Sequence, residues 1–389
     1  MQFPKNMGDA PKVSRFESLD VLKGFIILAV VFAHLLVSST GSESGRADSI
    51  VLQILYLGLM SFFLISGYFY RPGRGFVANM RKRGTQMVLA ITVCAIVLPV
   101  ITYVWLALCG QTSDPSDILG AFIRAMQLDE LFEPLGPTYD YIACAFSVGY
   151  YYIWVMIGGF IVFYALADRV MDDVRKLAAV LVILIAVFML DVEFWPVKLP
   201  FYFNLAPLAA VFMFAGAFMA KVRFVEKVEG FEWKTLGFWK PFLLCLVIGV
   251  VLCLILPPGT KFDWAYFGEY GGLSVIPYII ESVCMFVVFV YIAKFVAKVP
   301  VLSKLLDVAG QHTLGIILLH GFVATLICAL FYTIPTTCWF PPEMGLVNRI
   351  ALAVAVTTIC LVVCIFGPKL VRRARGAGKK TGDRSGSDE

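Results

Sequence analysis

The chain reads as long apolar runs broken by short polar joints. Ten runs stand out, at roughly 22–40, 49–70, 86–108, 147–167, 177–195, 201–220, 241–257, 272–296, 313–333 and 347–370. Each is close to the ~20 residues a helix needs to cross a hydrocarbon core ~30 Å thick. The apolar positions are continuous and do not alternate in short strands, so the pattern predicts helices in lipid and not a β-barrel. The fold class expected is an all-α polytopic membrane protein of about ten transmembrane helices. Residues 1–371 read as one integral-membrane domain. The tail 372–389, RRARGAGKKTGDRSGSDE, is polar and Gly/Ser-rich and is expected to be disordered. No internal repeat is visible. The N-terminus lacks the short apolar region and cleavage site of a signal peptide, so the first span is expected to stay as an anchor.

Composition agrees. Of 389 residues, 60% are hydrophobic and only 15% charged, where a soluble domain carries about 25% charged residues. The net charge of +5 raises a nucleic-acid partner as an idea, but its distribution speaks for membrane topology. With the N-terminus in the cytoplasm and strict alternation, the outward segments hold Arg46, Arg124, Lys198, Lys261 and Arg349. The other 27 of the 32 lysines and arginines (32 less 5) fall inside. That is the positive-inside bias, and it places both termini of a multi-pass cell-membrane protein in the cytoplasm. Most of the ten cysteines, among them Cys94, Cys245, Cys253, Cys284, Cys328, Cys360 and Cys364, lie within apolar runs and read as small buried hydrophobes. Cys109, Cys144 and Cys338 fall near one face, and a disulfide among them stays open. The outward segment 109–146 is long and acidic, with Arg124 its one basic residue. Its middle, ILGAFIRAMQLDELF, has helical spacing and reads either as an interfacial helix or lid, or as a solvated loop.

The first run, LDVLKGFIILAVVFAHLL, carries two groups that lipid disfavours, Lys23 and His34. At about 100° per residue, eleven residues close three turns and bring both onto one face, about 16 Å apart along the axis. Lys23 alone reads as a snorkelling anchor. His34 lies deeper, where an ionisable group marks a cavity or pathway, and imidazole suits proton transfer. Asp20, one turn before Lys23, can pair with the ammonium.

These residues resemble a known family. The stretch 19–34, with a basic residue followed by ten others and then His, is similar to the first span of the membrane-bound acyltransferase 3 family. The Lys version at position 23 resembles its fucose 4-O-acetylase and polysaccharide O-acetyltransferase branch. FFLISGYFY at 62–70, YYIWVMIGG at 151–159 with Trp154, and GQHTLGIILLH at 310–320 resemble further family segments. The resemblance implies transfer of an acyl group, usually acetyl from acetyl-CoA as co-substrate, to a hydroxyl of a carbohydrate or other extracytoplasmic acceptor. No permanently bound cofactor and no metal are implied. It makes His34 the base and Lys23 its basic partner. The family's R-x-x-R pair has its nearest match at Arg83-Gly-Thr-Gln86, so the second Arg is missing, with Arg81 or Arg74 as substitutes.

The residues bear on the donor side independently. Arg71, Arg74, Arg81, Lys82 and Arg83 cluster beside the Lys23 end and can hold the phosphates of an acyl-CoA; ordinary topology signalling is the competing reading. Glu281, alone in a span, is expected either to orient His34 as an acid orients a catalytic imidazole or to bond a neighbouring helix. His320 either lines the same cavity or makes a structural hydrogen bond. His312 reads as a loop or cap residue, Asn204 and Gln53 as interhelical bonders, Trp195 as an interface anchor, with Asp191 and Glu193 beside it. Ser66 lacks a nucleophile elbow and reads, with Gly67, as a close-packing site. Two other functions compete: a proton-coupled transporter or exporter, and a membrane scaffold in which Lys23 and His34 are replaceable.

Overall fold

A computed structural model describes residues 16–37, 46–111, 114–128, 150–195, 197–232, 234–256, 262, 264–331 and 346–382. In chain order the helices are α1 (Glu17–Val37), α2 (Arg46–Tyr68), α3 (Phe76–Leu108), α4 (Ser116–Ala125), α5 (Tyr150–Val170), α6 (Val174–Phe194), α7 (Ala206–Lys221), α8 (Phe224–Gly230), α9 (Leu236–Ile255), α10 (Trp264–Tyr270), α11 (Val275–Val296), α12 (Pro300–Gln311), α13 (Thr313–Phe331) and α14 (Leu346–Gly382). A 3₁₀ turn, Pro200–Leu205, leads into α7. Among the described residues no strand is present.

Nine of these helical stretches are long and apolar enough to cross a membrane. The chain is therefore an all-α polytopic membrane protein. Each of the ten apolar runs of the sequence falls on a helix. The second, α2, has 23 residues, and its apolar stretch Leu57–Tyr68 lies within the described side chains.

The structure shifts two boundaries. α3 begins at Phe76, ten residues before the expected span, so Arg81, Lys82 and Arg83 stand on a helix and not in a loop. The loop ahead of it turns on Gly73 and Gly75, both at φ above +70°, a conformation open to glycine. At the other end, α14 runs on to Gly382. The first part of the tail expected to be disordered is thus helical, and residues 383–389 lie outside the described residues.

The outer helices expose apolar side chains in rows: Leu89, Ile96 and Val104 on α3, Leu244, Val247 and Leu254 on α9, Val354 and Val362 on α14. Such rows are a liability in water and the natural boundary against acyl chains. α1 and α2 pack a full face into the bundle, with Leu19, Ile27, Val31, Leu35, Phe63 and Leu64 fully buried.

Where lipid surrounds the bundle, burying apolar area between helices gains little, and close backbone approach takes over. Two crossings use it. A Cβ on Gly67 would lie 1.8 Å from the carbonyl O of Met213, and one on Gly216 1.9 Å from that of Leu64, so α2 and α7 meet backbone to backbone. A Cβ on Gly24 would lie 1.8 Å from Leu306 O, and one on Gly310 2.3 Å from Asp20 O, which fixes α12 against the first half of α1. The short α8 closes the same end of the bundle. Glu229 accepts from Ser18 Oγ at 2.6 Å, Glu226 from the Tyr68 hydroxyl, and Lys294 Nζ donates to Val228 O at 2.7 Å.

Candidate active site

Along α1 the structure arranges the polar groups as the helical period requires. Near its start Lys23 pairs with Asp20, Nζ to Oδ1 2.5 Å, both largely shielded by neighbouring helices. Three turns on, His34 meets a second imidazole, His320 of α13. The ring centroids lie 5.5 Å apart and the planes 22° from parallel. His320 is fully buried. Its Nδ1 sits 2.8 Å from Ile317 O and 3.1 Å from Ile316 O. Carbonyls only accept, so Nδ1 carries a proton, and in the neutral form of the ring Nε2 is the basic nitrogen. The helix that carries it is tied from outside. Tyr150 Oη donates to Leu318 O at 3.2 Å, Trp105 Nε1 to Leu326 O at 3.0 Å and Gln111 Nε2 to Ala329 O at 3.1 Å.

At the Lys23 end of the bundle a cavity of about 210 Å³ opens between α2, α3 and α5, lined by Phe69, Tyr70, Arg71, Arg74, Asn79, Arg83 and Tyr164. Three guanidinium groups with phenol and amide groups give the cavity the donors an anion would need. Arg83 is braced inside it: Nη1 donates to Ser66 O at 3.3 Å, and the guanidinium stands 5.9 Å from the Phe160 ring centroid. Asp168 of α5 accepts from the Tyr70 hydroxyl and, at 3.0 Å, from the Gly73 N–H. That carboxylate is spent on holding the 70–75 loop that carries Arg71 and Arg74. Arg81 lines a shallower groove with Arg74, Gly75, Phe76, Val77 and Ala78. Of the two substitutes for the missing second Arg, Arg74 therefore shares the cavity with Arg83, and Arg81 is not among its lining residues.

The other sequence candidates fall elsewhere. Glu281, fully buried on α11, takes Gln53 Nε2 at 3.1 and 3.4 Å, an interhelical bond to α2. Ser66 Oγ lies 3.8 Å from Met156 Sδ beside the Gly67 crossing. Trp154 donates Nε1 to Ala125 O at 3.1 Å and packs on Phe201, 4.6 Å between centroids. It thereby seats α4, the helix found in the first half of the long connection, at the end of the bundle opposite Lys23. Just before α4, Asp114 accepts from the backbone and hydroxyl of Ser116, which hold its carboxyl below the usual range. His312 caps α12. Asn204 donates to Asp191 at 2.8 Å. Trp195 is exposed. Cys109 is a free thiol, and Cys144 and Cys338 lie outside the described residues.

Reading the sequence missed Tyr70, Asn79, Tyr164 and Asp168 as parts of the basic cavity. Asp168 offered a signal, as a carboxylate closing an apolar run that faces a basic stretch. The two tyrosines offered none, since aromatic residues crowd every span. Among the described residues no group of three or more His, Cys, Asp or Glu is placed to hold a metal ion.

No curated protein and no solved structure matches the chain. A family model does, over nearly the whole bundle. The acyltransferase domain model of the acyltransferase 3 family matches residues 16–366. That range takes in α1 with its Lys23–His34 face, the arginine cavity and α13 with His320. The chain belongs to the acyltransferase 3 family and is a membrane acyltransferase of groups other than amino-acyl groups.

Proposed function

We propose that the chain moves an acetyl group from acetyl-CoA to a hydroxyl of a carbohydrate or similar acceptor on the far side of a cell membrane. Both termini and the arginine cavity face the cytoplasm in this reading. The observation that carries it is the pairing of an anion cavity at one end of the bundle with an imidazole three helical turns into it. Arg71, Arg74 and Arg83 receive CoA phosphates, with Lys23 on the same end. The acyl thioester reaches inward to His34, and the acceptor enters from the α4 end. His34 takes the hydroxyl proton as the oxygen attacks the acyl carbon. The carbon–sulfur bond breaks and the thiolate leaves with that proton, so an O-acyl ester and CoA thiol result. A positioned base of this kind contributes roughly 10²–10⁴-fold.

The test needs no acceptor. Thermal unfolding of the detergent-purified protein is followed with acetyl-CoA, longer acyl-CoAs, CoA and acetate. Acetyl-CoA is expected to stabilise saturably where acetate does not. That shift persists in His34→Ala and shrinks in Arg83→Ala. Absence of stabilisation by every acyl-CoA at millimolar concentration sinks the reading and promotes a transporter.

A further inference from the structure

His320 is a buried ionisable group that the proposed chemistry leaves without a task. Its own helix gives it little reason to be there. Nδ1 bonds carbonyls three and four residues back, which the helix already employs, so such back-bonding adds little stability. A leucine would bury more apolar area in that place at no polar cost. What the ring does have is a neighbour on another helix. His34 lies 5.5 Å away, centroid to centroid, with nearly parallel planes. That separation lies within the roughly 4.5–7 Å between centroids of offset-stacked rings.

We propose that His320 is the positioning residue of the acyl-transfer base, the part that an acid plays beside other catalytic imidazoles. Three observations converge. The ring is fixed, because two carbonyls hold Nδ1 and the Tyr150 hydroxyl fixes the next carbonyl, Leu318 O. With Nδ1–H given to carbonyls, the neutral form of the ring has one tautomer, and its Nε2 can only accept. And the carboxyl expected in this role, Glu281, receives Gln53. A fixed neutral ring beside His34 holds the His34 plane and stabilises the imidazolium formed when His34 takes the hydroxyl proton. A neutral partner in a low-dielectric site does this without a standing negative charge, and two imidazolium ions so close would repel strongly. The pair therefore holds one proton during turnover and releases it to the departing thiolate.

The catalytic half of this inference rests on the proposed acyl transfer, so its test has an arm that needs no activity. The chain has three histidines, and ¹⁵N-imidazole labelling gives three pairs of ring-nitrogen signals. His312→Gln removes one pair for assignment. Without substrate, His320 is expected as the Nδ1–H tautomer, and His320→Asn is expected to shift both His34 ring nitrogens. An Nε2–H tautomer for His320, or His34 signals unmoved in His320→Asn, overturns the proposal. In the activity arm, His320→Phe keeps a flat ring and is expected to lower kcat about 100-fold while acetyl-CoA KM stays within about twofold. His320→Asn, which can still accept a hydrogen bond, is expected to recover about tenfold of that loss. A kcat within threefold of wild type in His320→Phe overturns the positioning role. Should His320→Phe not fold, judged by loss of acetyl-CoA stabilisation, His320→Asn and His320→Gln carry the same comparison. If wild type transfers no acyl group while the rings still couple, the failure belongs to the acyl-CoA reading and the coupling supports the pairing.

Discussion

Arg83 and Arg81 are two residues apart and carry the same charge, yet their surroundings set them different work. Arg83 stands in the cavity, its fork braced by Ser66 O and the Phe160 face, while Arg81 borders an open groove. Charge-assisted contacts to a phosphate are worth roughly 1.5–3 kcal/mol. Arg83→Ala is therefore expected to raise acetyl-CoA KM about tenfold or more, and Arg81→Ala to change it by less than about twofold. Arg83→Lys is expected to recover little, because an ammonium lacks the fork. Steady-state kinetics over an acetyl-CoA series decides, and equal effects at 81 and 83 would remove the cavity from donor binding. The basic stretch was legible in the sequence; which guanidiniums share a cavity was not. Position 86 is Gln, and the partner of Arg83 comes from Arg74 across a turn that depends on Gly73 and Gly75, a tertiary coincidence with no fixed spacing. Glu281 shows the same limit. A buried carboxyl was visible, its partner was not. Glu281→Gln keeps a hydrogen bond to Gln53 and is expected to unfold within about 1 kcal/mol of wild type, whereas Glu281→Leu strands a buried amide at a cost of about 1–3 kcal/mol. Denaturation in detergent distinguishes the two.

Among elements, the spans were the most legible feature and their contacts the least. Apolar runs of the right length need lipid, so ten of them announce a bundle, but the neighbours of each follow from where small residues let backbones touch. Gly67 was read as a packing residue from ISG alone; its reciprocal partner, Gly216, sits in the equally glycine- and alanine-rich MFAGAFMA and could not be chosen from sequence. Overpacking a close crossing usually costs about 1–3 kcal/mol and occasionally more. With backbone atoms 1.8 Å from the added carbon, Gly67→Val belongs at or beyond the upper end. The expected outcome is a large loss of thermal stability for Gly67→Val, while Gly237→Ala, whose added carbon meets nothing within 4 Å, stays near wild type. Similar melting curves for the two would mean that α2 and α7 are not in contact. Trp154→Phe tests a softer joint. It removes the bond to Ala125 O and is expected to cost about 1 kcal/mol and to loosen α4, seen as faster amide exchange across 116–125.

At the scale of the whole molecule the chain returns to where it began. Gly315, in the first turn of α13, faces the Cys364 sulfur near the end of the last apolar span, Val347–Gly367, while α12, one residue before α13, lies against the start of α1. The beginning of α1 and the end of the last span therefore share one end of the bundle with the arginine cavity. Only the charge bias bears on how that end faces a cell: with strict alternation of ten spans, 27 of the 32 basic residues are expected on one side. The proposed chemistry requires it to be the cytoplasmic side, since the donor is made there and CoA phosphates do not cross lipid unaided. Membrane-impermeant maleimide decides. Ser385→Cys and Arg74→Cys are expected to react only in inside-out vesicles, and Leu119→Cys, exposed on α4, only in right-side-out ones, each above the wild-type background. If Arg74→Cys and Ser385→Cys react from opposite sides, the ring of spans is threaded differently from the structure. If both react from outside, the bundle stands but is inverted, and a cytoplasmic acyl-CoA loses its access to the three arginines.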